Sequence, residues 1–200
     1  MRQLLLDFAQ APRPTFENFV HGGNAELLHV LESAATSGLA ERVVYAWGET
    51  GAGKSHLASA FRLASGAREG VRVIDDIEGL SEDGQAELFN AFIERSFDFL
   101  LATASAAPRD VPIRRDLATR LATGLTYRVI PLTDEEKRAA LAAHARSRGF
   151  ALSEEVSAYL LTHARRDMGS LMSALDTIDR YSLETGRAVT VPLLKAAIQA

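Results

Sequence analysis

The 200-residue sequence contains no cysteine, which excludes a disulfide framework and thiol chemistry. It also lacks any long apolar run, and nothing in it approaches the ~18 consecutive apolar residues of a membrane span. Near the N-terminus Leu4-Leu5-Leu6 is broken at once by Asp7, short of the ~7–15 apolar residues of a secretory signal. A cytoplasmic protein with no membrane partner is the expectation. Charge of one sign is scarce too: 22 Lys and Arg stand against 26 Asp and Glu, a net charge of −4 that gives no overall attraction to a phosphate backbone. The five histidines show no paired ligand spacing, and there is no internal repeat or low-complexity tract. What is present suffices to bury a core in one domain, or in one domain plus a small lid.

Pro12 and Pro14 separate the first residues from the body of the chain, and Ala25 to Ala35 carries apolar residues at helical spacing. Val43-Val44-Tyr45-Ala46-Trp47 reads as a buried strand, followed by a glycine loop and a helix over 56–64. Further strands are predicted over 71–74, 97–103 and 126–130, with a helix carrying Leu88, Phe89, Phe92 and Ile93 between the second and third. Phe89, Phe92, Ile93 and Phe97 read as a core-facing stripe. Strands alternating with helices predict a parallel α/β sheet covered on both faces. From Thr133 the pattern becomes purely helical, over 134–147, 153–165, 168–185 and 191–200, with start signals at Thr133, Ser153 and Pro192. The expected organisation is a tail and linker over 1–11, an α/β core over 12–131 and a helical lid over 132–200.

Gly48-Glu49-Thr50-Gly51-Ala52-Gly53-Lys54-Ser55 fits G-x-x-x-x-G-K-[ST] and lies between a strand and a helix, where phosphate binding requires it. Glycines let successive backbone N–H groups face one phosphate chain, Lys54 reaches the β- and γ-phosphates, and Ser55 can hold Mg²⁺. His56 falls at the loop-to-helix corner. Val71 to Ile74 ends in Asp75 and Asp76, where Asp75 would bind Mg²⁺ and Asp76 would orient an attacking water as general base. Solvated aspartates at a strand end are the competing reading. Thr103 and Ser105, at the end of the third strand, would either sense a γ-phosphate or cap the strand.

These segments together resemble the AAA+ superfamily, and more narrowly the bacterial replication initiator DnaA and its shorter Hda-like regulators. Thr15-Phe16-Glu17-Asn18-Phe19-Val20 is similar to the family's segment before the adenine pocket, which makes Phe16 and Val20 expected nucleotide contacts beside Gly48, Gly51, Ala52, Gly53, Lys54, Ser55 and His56. Asp116-Leu117-Ala118-Thr119-Arg120-Leu121 is similar to the segment carrying the arginine finger. Gln3-x-x-Leu6-x-Phe8 resembles the Q-x-x-L-x-F peptide with which replication proteins dock on the β sliding clamp; a frayed end or an edge strand is the alternative. The resemblance implies an AAA+ core with a small C-terminal helical lid, ADP or ATP with Mg²⁺ as ligand, and DnaA and the clamp as partners. Arg120 would act in trans on the ATP of DnaA and prevent re-initiation of replication. A homodimer stays open.

Three departures qualify the resemblance. The sequence stops with the lid, so no duplex-reading domain, and hence no specific DNA binding, is expected. Only Ser65 to Gly70 separate the P-loop helix from the second strand, so the sheet should lack one edge strand. Gly169 occupies the sensor-two place where the family carries an arginine, with Arg165 and Arg166 as neighbours, which speaks for weak intrinsic ATPase activity. Arg114 and Arg115 read as solvated, or as contacts to a partner's nucleotide. A stand-alone AAA+ ATPase and a DNA- or helicase-loading remodeller are the alternative functions; the acidic balance counts against the latter.

Overall fold

A computed structural model of the protein describes residues 13–37, 40–165 and 167–199. They form two compact units that divide between Pro131 and Leu132. In the first unit the strands β1 (Val43–Trp47), β2 (Val71–Ile74), β3 (Phe99–Ala104) and β4 (Leu125–Arg128) form one parallel sheet in the order β2-β3-β1-β4. Parallel neighbours need crossovers, and helices supply them on both faces. Residues alternate across the sheet: Val44, Ala46 and Leu101 pack with helices α1 (Ala25–Thr36) and α2 (Lys54–Ser65). Val43, Tyr45, Leu100 and Ala102 pack instead with α3 (Glu82–Glu94) and α4 (Arg115–Leu121). Because Gly66–Gly70 alone connects α2 to β2, β2 forms the edge of a four-stranded sheet among the described residues.

Local boundaries differ from the sequence expectations where tertiary contacts decide them. β3 begins at Phe99, because Phe97 turns into the core edge-on to Phe92, with ring centroids 5.0 Å apart. β4 ends at Arg128, and the backbone of Ile130 is clamped by the Asn24 side chain, Nδ2 donating to its carbonyl at 2.8 Å and Oδ1 accepting from its amide at 2.7 Å. The expected stripe on α3 is only partly core. Phe97 is buried, Phe89 and Phe92 are half-buried, and Ile93 is 55% exposed. The core face of α3 is Gln85, Leu88 and Ala91, and five residues beyond Leu88 places Ile93 about 140° around the helix.

The second unit consists of α5 (Asp134–Ser147), α6 (Glu154–His163), α7 (Met168–Thr185) and α8 (Val191–Gln199). Thr133 and Glu136 form a reciprocal capping box, Ser153 Oγ accepts from the Val156 amide at 3.3 Å, and Asp167 caps α7 through the Ser170 amide at 2.9 Å. Leu141, Val156, Leu160, Leu171, Leu175 and Leu194 fill its core. Arg148, at the end of α5, holds α7 through Asp179 at 2.7 Å and Asp176 at 3.4 Å. No helix among the described residues is long and apolar enough to cross a membrane.

Candidate nucleotide site

Three strands deliver their C-terminal ends to one edge of the sheet, the position where open α/β sheets bind ligands. The loop after β1 is anchored by the Gly48 amide, which donates to the Ala104 carbonyl of β3 at 3.1 Å. Gly51 and Gly53 have φ of +83° and +106°. A Cβ on Gly53 would also come 2.9 Å from Cε2 of Phe19, so glycine is needed there on two grounds. α2 starts at Lys54 with no side-chain cap, which leaves its first-turn N–H groups to an anion.

Lys54 is 7% exposed, and its Nζ donates to the carbonyls of Gly48 at 2.8 Å and Glu49 at 3.1 Å. Ser55 is exposed on the first turn of α2. His56 Nε2 donates to the Thr15 carbonyl at 2.9 Å and its ring lies 5.3 Å from that of Phe19. Burial lowers the His56 pKa against a smaller opposing effect of the Thr15 bond. The segment before α1 is thereby tied to the P-loop, with Phe16 and Phe19 packed on the core and Val20 half-buried. Phe19 lies against Gly53 and His56, a place that the sequence pattern of the segment does not single out for it.

Thr103 is fully buried; its hydroxyl donates to Asp75 Oδ1 at 2.6 Å and accepts from the Asp76 amide at 2.9 Å. Its proton is thus committed to Asp75. Asp76 adopts a left-handed conformation, φ 53° and ψ 69°. Burial, followed by the nearby charges of Asp75 and Glu78, raises the Asp76 pKa, with Lys54 opposing. Glu78 is a further acidic member of the site that sequence reasoning missed. Its Oε1 accepts from the Ser105 amide at 2.7 Å, and its Oε2 is buried without a hydrogen-bond partner. Hydroxyl and carboxylate oxygens at Ser55 and Asp75 are the hard donors that suit Mg²⁺, and the glycine loop with its uncapped helix suits a polyphosphate.

Arg120 lies in the last turn of α4, exposed and without a side-chain partner among the described residues, while Leu117 and Leu121 of the same helix are fully buried. Arg114 is paired with Asp116 at 2.7 Å and Arg115 is exposed. Gly169 is the second residue of α7, and Arg165 pairs with Asp167 at 3.4 Å. Gln3, Leu6, Phe8 and Arg166 lie outside the described residues.

A parallel sheet with this glycine loop, an acid-ended second strand, polar groups ending the third and a helical second unit defines a P-loop protein of the AAA+ class. Residues 134–198 match the family model described as Hda, lid domain. The chain is 31% identical over 225 aligned positions to a protein of Haemophilus influenzae described as uncharacterized, covering 97% of each. It is similar to domain III of the Thermotoga maritima replication initiation protein DnaA, with a TM-score of 0.71, 20% identity and coverage of 96% of this chain and 98% of that one. AMPPCP-bound DnaA from Aquifex aeolicus is similar at a TM-score of 0.69 and 19% identity, covering 88% of this chain and 68% of that one. The chain belongs to the Hda-like, DnaA-related AAA+ proteins.

Proposed function

We propose that this chain regulates DnaA: docked on the β sliding clamp through Gln3, Leu6 and Phe8, it brings Arg120 to ATP bound by the initiator and promotes its hydrolysis. The initiator is left with ADP and replication does not restart. Arg120 carries the reading, as an exposed arginine without a side-chain partner among the described residues, on a helix pinned by two buried leucines. A guanidinium is always charged and presents a planar fork of donors to phosphate oxygens. Supplied in trans, such a group contributes ~10³–10⁵ in rate. Membership of the family and the DnaA-like fold support DnaA as partner, and the net charge of −4 disfavours specific DNA binding.

The chain's own site would hold ADP or ATP. Gly51, Ala52 and Gly53 would offer backbone amides to the phosphates, Lys54 would exchange its carbonyl partners for phosphate oxygens, and Phe16, Val20 and His56 would face the base. Ser55 and Asp75 would hold Mg²⁺, which when bound neutralises phosphate charge. With Gly169 at the sensor-two place, this site retains its nucleotide rather than turning it over.

The deciding experiment is DnaA–ATP turnover with clamp loaded on DNA. Wild-type protein should accelerate it, and Arg120→Ala should abolish the acceleration while nucleotide affinity and clamp binding persist. Arg120→Lys should rescue only partly, because an ammonium lacks the bidentate geometry. Undiminished acceleration by the alanine variant would refute the finger. One observation supports an autonomous ATPase as the second reading: Lys54 and Ser55 open α2 after β1, and Asp75 and Asp76 directly follow β2, in one parallel sheet. Rapid phosphate release by this protein alone would select that reading.

A further inference from the structure

We propose that Gln85 is the positioning residue of Arg120, a buried amide in α3 that fixes where α4 begins and so where its arginine points. The inference rests on the role of Arg120 proposed above. Gln85 is 8% exposed, on a helix face otherwise made of Leu88 and Ala91. A buried amide without partners is destabilising by itself; here both ends are engaged. Nε2 donates to the Leu80 carbonyl at 3.1 Å, and Oε1 accepts from the Arg114 amide at 2.9 Å. Arg114 is the N-cap of α4, which has no side-chain cap. A single side chain on α3 therefore holds the N-cap residue of the helix that carries Arg120.

Other contacts at this point are weaker anchors. The Arg114 guanidinium bonds Asp116 at 3.2 and 2.7 Å and stands 5.6 Å from the Phe89 ring centroid, but the ion pair is exposed, and such pairs contribute little. A cavity of about 350 Å³ lined by Glu82, Gln85, Pro112, Ile113 and Arg114 flanks the bond, while Val111 and Ile113, just before the helix, pack on the core. Leu117 and Leu121 bury one face of α4, and the Gln85 bond fixes its N-terminal end. Arg120 lies six residues from Arg114, a lever of about 9 Å at the helical rise, so a tilt of ~10° moves its backbone by ~1.5 Å. Misplacement of that order costs about 10²-fold in a reaction that depends on geometry.

The test compares wild type, Gln85→Met, Gln85→Glu, Arg120→Ala and the double variant Gln85→Met/Arg120→Ala in clamp-dependent DnaA–ATP turnover. Thermal melting and nucleotide titration run alongside. Gln85→Met keeps the shape and removes both bonds; it should lower the maximal stimulated rate by ~10-fold or more, with the half-saturating concentration and the chain's own nucleotide affinity unchanged. Gln85→Glu keeps an oxygen for the Arg114 amide but, when ionised, has no donor for the Leu80 carbonyl, so it should restore part of the rate lost in Gln85→Met. The double variant should equal Arg120→Ala, because the residue acts only through that arginine. Full stimulation by Gln85→Met, equal loss in Gln85→Glu, or loss no larger than the unfolded fraction seen by melting would overturn the positioning role. Full stimulation by Arg120→Ala would instead remove the finger reading on which it rests.

Discussion

Thr103→Val removes one hydroxyl and almost no volume, at a position that is fully buried in β3. The hydroxyl donates to Asp75 at 2.6 Å and accepts from the Asp76 amide at 2.9 Å. A hydrogen bond to a charged group contributes ~1.5–3 kcal/mol, and the low end applies because the Asp75 residue is exposed and its carboxylate can rehydrate. The Asp76 amide, in a residue held at φ 53°, loses its acceptor as well, a neutral bond that contributes ~0.5–1.5 kcal/mol. Against these losses the buried methyl contributes ~0.8 kcal/mol. The net destabilisation is about 1–2 kcal/mol, and at ~2–4 °C per kcal/mol the thermal midpoint should fall by ~2–8 °C. Thr103→Ser keeps the hydroxyl, so a second assay separates the two variants. Mg²⁺-dependent nucleotide affinity should drop in the valine variant, where Asp75 is free to swing, and hold in the serine variant. A valine variant that melts with wild type and binds Mg²⁺-nucleotide unchanged would refute the coupling of Thr103 to the acidic strand end.

Lys54→Ala should weaken nucleotide binding by at least ~1.5 kcal/mol, the low end for a charge-assisted contact; calorimetry measures it, and unchanged ADP affinity would remove Lys54 from the site. His56 has a folded pKa below its unfolded value because of burial. The unfolded chain therefore binds more protons between the two, and stability is fully present above roughly pH 6.5 and lost as pH falls below it. His56→Gln, which keeps a donor for the Thr15 carbonyl, should flatten that slope in denaturation series across the same range, and an unchanged slope would show that His56 does not cause it.

The features legible in the sequence are those that neighbours along the chain decide. The glycine loop, strands β1 and β2 and helices α5 and α7 follow from local patterns, and Thr133, Ser153 and Asp167 cap their helices within three residues of themselves. Illegible were the polar links that join distant segments. Gln85 and Arg114 lie 29 residues apart, Glu78 and Ser105 27, and Asn24 and Ile130 106. A glutamine on an amphipathic helix reads as solvent-facing, and only the approach of the segment before α4 makes it a buried anchor. Ile93 errs the other way: its composition suggests core, but its angle on α3 turns it to solvent.

The acidic turn after β2 shows how such links divide labour among like groups. Burial raises the Asp76 carboxyl and the charges of Asp75 and Glu78 add to the effect, while Lys54 opposes it. Burial acts on Glu78 in the same sense, but hydrogen bonds from Ser105 and from its own backbone outweigh it and leave that carboxyl below its usual range. The two groups thus depart in opposite directions although they stand two residues apart. A carboxylate with a raised pKa is the stronger base, so on the autonomous-ATPase reading Asp76 would be the member of the pair to accept a proton from water. Glu78, kept ionised and bonded to the end of β3, is suited to hold that loop in place. Removing the Ser105 bond would leave burial to act on Glu78 as it acts on Asp76, and the distinction between base and anchor would narrow. Sequence order distinguishes Asp75 from Asp76 by their place after β2 but gives no sign of Glu78, whose part emerges only when the Ser105 amide at the end of β3 is brought against it.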